Sequence, residues 1–352
     1  MKSVTKNILL SLVTVLVLLS LIELAARLFF DPVSRVNFTP IPRSLLMKPS
    51  FPGVPYILRP NGTGTQHFGT NPDGYFNEGA TLTYNINSLG FRGKETTVGK
   101  PANTVRIIGI GDSFTFGSGV RNSDTFLSTL EADLSDSVNG KNIEVLNLGV
   151  GGYNTAHELS LLYHMGLKYQ PDIVVLCYFL NDTNAGGTAQ AFSPHAHVNQ
   201  LPLWRRYSRL ADLLASGFER KQAAEKLVAN YNSSYQQDAP GWIRSRKALQ
   251  QMQILSQKRG FKLTLVIFPV LWNLSDNYPF LAIHQTITDF ASGLGIPVLD
   301  LLPAFSGFKG PELWAHPNNQ HPNAEGHQIA GHALAEFLET TYPSILPAAG
   351  GS

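Results

Sequence analysis

The sequence contains a single cysteine, Cys177, so the chain cannot form an internal disulfide. Cys177 lies inside the apolar run 173–180, which predicts a small buried core residue. A metal site would have to rely on histidine, and His327 and His332 are five residues apart, the wrong spacing for one helix face. His316 and His321 lie close to them in the sequence, but closeness alone does not indicate a metal site. We therefore expect no metal.

The sequence has a small net charge and lacks the common phosphate-binding motifs. Lysine and arginine total 27 against 25 acidic residues, and a formal net charge of +2 favours neither nucleic acid nor a strongly acidic partner. Gly109-Ile110-Gly111 lacks the third glycine of a dinucleotide site, and there is no P-loop, so we expect no cofactor. The hydrophobic content of 43% predicts one large globular domain, with or without extensions.

Residues 8–22 contain no charged side chain, and the apolar character continues to Phe30 before Asp31-Pro32. A helix over 8–30 would be ~34 Å long, enough to cross a hydrocarbon core of ~30 Å. Lys2 and Lys6 precede the run, which places the amino terminus in the cytoplasm and the remaining chain outside it. We expect an uncleaved membrane anchor over residues 1–30; a cleaved signal peptide and a buried helix are the alternatives.

The rest of the chain divides by composition. Residues 31–102 are rich in proline and in asparagine, glycine and threonine, which predicts an irregular extension packed on the main domain. An α/β pattern occupies 103–342, interrupted at about 183–241 by a polar insertion with a helical middle over 209–231. Residues 343–352 are expected to form a flexible tail.

Within 103–342, apolar segments alternate with helical ones. Near-continuous apolar strands separated by helices predict a parallel sheet covered on both faces. The expected strands are 105–110, 143–148, 172–179, 262–268 and 297–301. The expected helices are 126–134, 155–169, 242–258, 278–294 and 324–341.

Chemistry-bearing residues follow the strand ends of this pattern, the edge at which α/β proteins bind ligands. Gly111-Asp112-Ser113 comes directly after the first strand, where Ser113 could be a nucleophile or a helix cap. The glycines of 147–154 favour a backbone N–H that points at an oxyanion, or simply a tight turn. Asn181-Asp182 ends the third strand, and His321 opens the last helix as the candidate base.

Taken together, these residues resemble the SGNH (GDSL) hydrolase superfamily over residues ~103–340, about two thirds of the chain. Asn87-Ser88-Leu89-Gly90-Phe91-Arg92-Gly93 and the amino-terminal span are similar to a membrane-anchored bacterial branch of it. The resemblance implies a three-layer α/β/α sandwich with a flavodoxin-like sheet. It also implies that Ser113 is the nucleophile and His321 the base. The oxyanion hole would consist of the Ser113 N–H, the Gly152 N–H and the Asn181 amide.

Two positions depart from that family pattern. Phe179 stands where the family usually has glycine, and we expect it to narrow the pocket without removing a catalytic atom. Asn318 and Asn319 stand where an aspartate usually orients the histidine, so we expect a slow Ser–His dyad with one of these asparagines as orienter. A backbone carbonyl, Asp182 or Asp300 are the other candidates.

These observations predict a membrane-anchored, extracytoplasmic serine esterase acting on O-acyl esters, O-acetyl groups above all, of envelope or exported polysaccharide. Turnover should rise with pH through ~6.5, as a histidine base requires. An O-acyltransferase that passes the acyl group to a glycan is one alternative. A non-catalytic scaffold that binds a glycan or a membrane partner is the other. The expected partners are the ester or acylated glycan and the membrane through residues 8–30, with no nucleic acid.

Overall fold

The computed structural model describes residues 2–29, 41–137, 140–184, 202–317 and 319–346. Two compact units are present. One takes the described residues of Met1–Phe38 and Phe192–Leu227, and the other takes those of Thr39–Ala191 and Val228–Ser352.

Secondary structure covers both units. The helices of the described residues are α1 (Lys2–Phe29), α2 (Ser113–Phe116), α3 (Phe126–Ser137), α4 (Thr155–His164), α5 (Leu203–Tyr207), α6 (Arg209–Ser234), α7 (Pro240–Arg259), α8 (Leu281–Gly293) and α9 (Ala324–Thr341). The strands are β1 (Leu46–Met47), β2 (Ile57–Leu58), β3 (Thr63–His67), β4 (Thr81–Asn85), β5 (Thr104–Gly111), β6 (Asn142–Gly149), β7 (Ile173–Tyr178), β8 (Lys262–Ile267), β9 (Val298–Asp300), β10 (Trp314–His316) and β11 (Asn319–Pro322).

In the first unit, α1 provides an apolar surface. Over Val4–Phe29, 26 residues, it is long and apolar enough to cross a membrane, and none of its most apolar window is buried. A signal sequence can have the same length and apolar composition. The expected apolar helix is confirmed. The side of the membrane on which the remaining chain lies stays a prediction.

The second unit is built on a five-stranded parallel sheet in the order β6-β5-β7-β8-β9. This is the doubly wound order 2-1-3-4-5 of flavodoxin-like folds. All six residues of β7 are buried, as expected for a central strand covered on both faces. Helices α3 and α9 pack together on one face, and α4 packs with α7 on the other. The predicted three-layer α/β/α sandwich is therefore confirmed.

One helix is shorter than the sequence predicts. The pattern over 155–169 favours a single helix, but α4 ends at His164 and a 3-10 turn follows over Gly166–Tyr169. Gly166 lies at this break, and glycine in a helix interior costs about 1 kcal/mol relative to alanine. A low helix propensity at that position accounts for the end of α4.

The region that precedes the sheet forms two small antiparallel sheets, β1 with β2 and β3 with β4. Its side chains bond to the loops of the α/β core. Tyr84 Oη accepts the backbone N–H of Gly119 at 2.9 Å, and Tyr75 Oη donates to Asp124 at 2.5 Å. At the other end of the unit the chain remains packed through Leu346, which is fully buried.

The end of β6 lies directly against the turn that follows β5. An alanine Cβ at Gly149 would lie 2.2 Å from the backbone nitrogen of Phe116, which cannot move like a flexible side chain. We expect Gly149→Ala to lower the free energy of unfolding by roughly 1–3 kcal/mol through overpacking. Urea unfolding of the full-length protein in detergent measures this.

Gly99→Ala is the matched control, because a Cβ at Gly99 meets nothing within 4 Å and should change stability little. Equal unfolding midpoints for the two variants would contradict the packing argument.

Candidate active site

Ser113 occupies the first position of the short helix α2, directly after β5. Asp112 caps this helix, since its Oδ1 accepts the backbone N–H of Phe114 at 2.8 Å. The alternative in which Ser113 caps the helix is therefore wrong. With the cap supplied by its neighbour, the Ser113 hydroxyl is left for another partner.

That partner is His321, whose Nε2 lies 2.8 Å from Ser113 Oγ. His321 belongs to β11, which pairs antiparallel with β10 immediately before α9. Asn323 caps α9 by accepting the backbone N–H of Gly326 at 2.9 Å, which fixes the point where the chain leaves the strand. The hairpin and the cap together hold the imidazole over the serine.

Asn319 is the residue that bonds to the other side of the imidazole. Its Oδ1 is hydrogen-bonded to His321 Nδ1 and also accepts the backbone N–H of His321 at 3.3 Å. Two donors converging on one oxygen assign that atom as the amide oxygen and assign Nδ1 as the protonated nitrogen. In this tautomer Nε2 is free to accept the serine proton.

The two aspartates considered as orienters of His321 bond to other side chains. Asp182 accepts a hydrogen bond from Thr155 Oγ1 at 2.8 Å, and Asp300 bonds to His284 Nδ1 at 2.9 Å. Asn318 lies outside the described residues. Asn319 alone of these named candidates is seen to contact His321.

The imidazole of His321 is half-buried, and partial removal from water lowers its pKa to about 4. Removing water disfavours the charged imidazolium, so the ring is neutral at neutral pH. The expected rise of activity with pH through ~6.5 rested on an ordinary histidine pKa. The buried environment moves that expectation to a lower pH.

Asn181 and Gly152 lie near the same strand ends. Asn181 Nδ2 donates to Asp112 Oδ2 at 3.0 Å, which ties the amide to the residue before the nucleophile. Gly152 lies in the turn after β6 with φ +79°. A Cβ on its neighbour Gly151 would lie 3.7 Å from Ser113 Cβ, so this turn passes beside the serine. The roles of these N–H groups in an oxyanion hole stay a prediction.

Three carboxyl groups lie buried at this edge, and the sequence pattern did not point to Glu158. Burial raises the pKa of Asp112 to about 6. It also raises the pKa of Asp182 and Glu158 well above their usual range, and repulsion from neighbouring carboxylates adds to the effect. Glu158 lies in the first turn of α4, where an acidic residue is ordinary, so only the packing reveals its burial.

Aromatic rings form one wall of the site. Phe114 stacks on Phe179 with ring centroids 4.1 Å apart, and its centroid lies 5.2 Å from that of His321. Phe179 thus contacts the ring that lies next to His321, and its expected narrowing of the pocket stays a prediction. Among the described residues, no group of three or more His, Cys, Asp or Glu side chains is arranged to hold a metal ion.

Arg92 supports the nucleophile turn from the preceding region, a role that sequence reasoning did not assign. Its guanidinium donates to the carbonyls of Phe116, Gly117 and Val120, where α2 ends and the next turn begins. It also lies 4.8 Å from the ring centroid of Tyr84. Burial lowers its pKa to about 10, so it remains charged at neutral pH. Its place in the 87–93 motif was the available signal.

Replacing Arg92 with methionine removes these donors and leaves buried carbonyls unpaired. We expect Arg92→Met to lower the free energy of unfolding by at least about 2 kcal/mol and to reduce esterase kcat through displacement of Ser113. Denaturant unfolding and steady-state kinetics on the same preparation measure both effects.

Arg121→Met is the control, since Arg121 also stacks on a tyrosine, Tyr75, yet is 47% exposed at its side chain. It should change stability by less than about 1 kcal/mol. If the two variants were equally stable, Arg92 would not hold the turn.

Comparison with known proteins agrees with this geometry. Residues 110–329, more than half of the chain, match the GDSL-like Lipase/Acylhydrolase family. No curated protein sequence matches the chain.

Similar solved structures include the acetylxylan esterase Axe2 from Geobacillus stearothermophilus, with 15% identity, TM-score 0.43, and coverage of 66% of this chain and 94% of that one. LAE5, an alpha/beta hydrolase enzyme from the metagenome of Lake Arreo, Spain, has 16% identity, TM-score 0.43 and coverage of 66% and 94%. A two-domain esterase active on acetylated mannans has 13% identity, TM-score 0.44 and coverage of 70% and 52%.

At these TM-scores the similarities carry no inference about the substrate of this chain. The family match is of a different kind, because it spans the segment from the end of β5 to α9 and includes both Ser113 and His321. It does not test the membrane-anchored branch, which stays a prediction. The chain belongs to the GDSL-like lipase/acylhydrolase family and is a serine ester hydrolase.

Proposed function

We propose that this protein is an extracytoplasmic esterase that removes O-acyl groups, O-acetyl above all, from envelope or exported polysaccharide through a Ser–His dyad. The observation that carries the proposal is the 2.8 Å contact between Ser113 Oγ and His321 Nε2, with Asn319 bonded to Nδ1. A serine is activated as a nucleophile when its hydroxyl is hydrogen-bonded to one nitrogen of a neutral imidazole and another residue holds the second nitrogen.

The reaction follows from these contacts. His321 Nε2 takes the Ser113 proton while Oγ attacks the ester carbonyl carbon, and the carbonyl electrons move onto oxygen. The oxyanion accepts hydrogen bonds from the N–H groups of Ser113 and Gly152 and from Asn181 Nδ2, whose other hydrogen is used by Asp112. His321 then gives its proton to the leaving alcohol, and an acyl-enzyme forms.

Water completes the cycle. His321 deprotonates a water molecule that attacks the acyl carbonyl, and the released proton returns through His321 to Ser113 as the acid leaves. A sugar hydroxyl in place of that water would give acyl transfer instead.

Asn319 orients the imidazole but carries no charge to stabilise the imidazolium. In a serine protease, replacing the orienting aspartate with asparagine lowers the rate by about 10⁴ because it leaves the wrong tautomer. Here the amide oxygen faces Nδ1, so the productive tautomer is kept and only the charge stabilisation is missing. A working but slow dyad is the result.

Two features support the substrate class. The stacked Phe114 and Phe179 rings limit the room beside the dyad, which favours short acyl groups over long ones. An apolar helix that crosses the membrane after Lys2 and Lys6 would hold the catalytic unit outside the cytoplasm, where acylated polysaccharides of the envelope are found.

Removing either member of the dyad should abolish turnover. We expect Ser113→Ala and His321→Ala to lower hydrolysis of p-nitrophenyl acetate by the full-length protein to background, while wild type prefers the acetate to the octanoate ester. Ser123→Ala, an exposed serine between β5 and α3, is the matched control and should retain activity. Wild-type turnover in either dyad variant would rule the mechanism out.

Restoring a carboxylate behind the histidine should strengthen the base. Asn319 Nδ2 is buried without a hydrogen-bond partner among the described residues, so the oxygen of an aspartate can replace it without breaking a bond. Neutral His321 is the active form, so wild-type kcat/KM should fall only as pH drops through about 4. We expect Asn319→Asp to move that inflection to higher pH and to raise kcat at least about tenfold.

The full pH profile of kcat/KM measures both effects. Asn318→Asp provides the comparison, because the sequence predicts that either Asn318 or Asn319 orients His321. An equal gain from Asn318→Asp, or no movement of the inflection in Asn319→Asp, would remove Asn319 from the mechanism.

A further inference from the structure

The first part of α6, in the insertion, exposes apolar side chains that a surface helix in water would bury. The first part of α6 has apolar residues at Leu210, Leu213, Leu214 and Phe218, which share one face at helical spacing. Leu214 is 66% exposed and Phe218 is 63% exposed. In a water-soluble helix this stripe would face the interior of the protein.

Part of the polar face of the same helix packs against α5, where Asp212 is buried. It surrounds Arg205 of α5, whose side chain is buried. Arg205 donates to Asp212 at 2.9 Å, to Ser216 at 2.9 Å and to Glu219 at 2.6 Å. These three partners lie opposite the apolar stripe, so the ion-pair network and the exposed stripe cannot be exchanged by a small rotation of the helix.

Helix α5 extends the exposed apolar surface. Leu203, Trp204 and Tyr207 are 64%, 56% and 73% exposed. Tryptophan and tyrosine are the residues enriched where a membrane meets water, because their rings are apolar and their N–H or O–H groups are polar. We call Leu203, Trp204, Tyr207, Leu214 and Phe218 the insertion stripe.

The same unit contains the helix that has the composition of a membrane span. Near the end of α1, Glu23 accepts hydrogen bonds from Ser208 Oγ and from the backbone N–H groups of Arg209 and Leu210, at 2.8–2.9 Å. Arg27 donates to the carbonyl of Tyr207 and pairs with Glu23 at 2.8 Å. Glu23 therefore caps the start of α6, where a carboxylate is favourable.

This cap joins the insertion stripe to the end of the apolar helix. Ala26 is buried, whereas Leu24 and Leu28 are 52% and 68% exposed, so contact is made along one side of α1 only. Charged residues belong where a span leaves the hydrocarbon, which places the start of α6 at the level of the headgroups. A cleaved signal peptide would leave α6 without this cap.

We propose that the insertion stripe is a membrane-interface element that lies in the headgroup region of the bilayer crossed by α1. Its apolar face contacts acyl chains, and the Arg205 network forms its inner, protein-facing side. The lipid surface is the occupant because the stripe continues the apolar surface of α1. The proposal requires α1 to lie in the bilayer but does not depend on the esterase mechanism.

Trp204 provides a direct reporter of this contact. The full-length protein is reconstituted into phosphatidylcholine–phosphatidylglycerol vesicles with and without dibrominated acyl chains, which quench tryptophan fluorescence only on contact. We expect brominated lipid to quench wild type and this quenching to be lost in Trp204→Phe. Trp242→Phe is the control and should keep it, because Trp242 is 3% exposed within the α/β core.

Each other outcome overturns the proposal. Equal quenching of wild type and Trp204→Phe would mean that Trp204 is not at the lipid. Quenching of the Trp204 signal by aqueous acrylamide but not by brominated lipid would place the stripe in water. Protection from both quenchers would mean that protein covers it, such as a second copy of this chain. Failure of the protein to float with vesicles would remove α1 from the bilayer, while esterase activity would be unaffected.

Discussion

A single buried guanidinium holds the turn on which the active site depends. Helix α2 has only four residues and cannot satisfy its own terminal carbonyls, so an outside donor is needed. The Arg92 guanidinium donates to the carbonyl of Phe116 at the end of α2 and to those of Gly117 and Val120 in the turn that follows. Because Arg92 comes from the region before the sheet, that region contributes directly to the position of Ser113. The close approach of Gly149 to the same turn completes its support from the sheet side.

Burial shifts the pKa values of the acids and of the histidine base at this site in opposite directions. It lowers the pKa of His321 and raises those of Asp112, Asp182 and Glu158. At neutral pH His321 is therefore uncharged, whereas Asp112, with a pKa of about 6, is mostly ionised. A neutral amide at position 319 orients the base without adding a further buried negative charge beside these acids. The same choice removes the charge that would stabilise the imidazolium, which is the reason for proposing that the dyad is slow.

The two units of the chain follow different rules of burial. The α/β unit buries apolar strands between helices, as expected in water, and the charged groups that it also buries, such as Arg92 and Asp112, are hydrogen-bonded. The unit of α1 and the first part of the insertion does the reverse, with an arginine network inside and leucine, tryptophan and phenylalanine outside. This exposed apolar surface is the observation behind the proposal that the first part of the insertion contacts a lipid surface.

Much of the fold and half of the site were accessible from the sequence. Apolar runs ending in Gly-Asp-Ser, in glycines and in Asn-Asp predict a parallel sheet with its ligand edge, and the observed strands agree within one or two residues at each end. Ser113 and His321 could be named because strand ends converge at one edge of a parallel sheet whatever the details of packing. The long uncharged run likewise determined an apolar helix by composition alone.

Tertiary structure decided everything that depends on which side chains meet. The sequence offered Asn318, Asn319, Asp182, Asp300 and a backbone carbonyl as orienters of His321. Only the structure shows that Asn319 bonds to the imidazole, whereas Asp182 and Asp300 bond to other side chains. Likewise, the burial of Arg92, Glu158 and Asp212 could not be predicted from the sequence, because burial of a charged residue depends on distant segments that pack around it. Local patterns record which elements form, whereas the desolvation and pairing that give those residues their roles exist only once the elements have assembled.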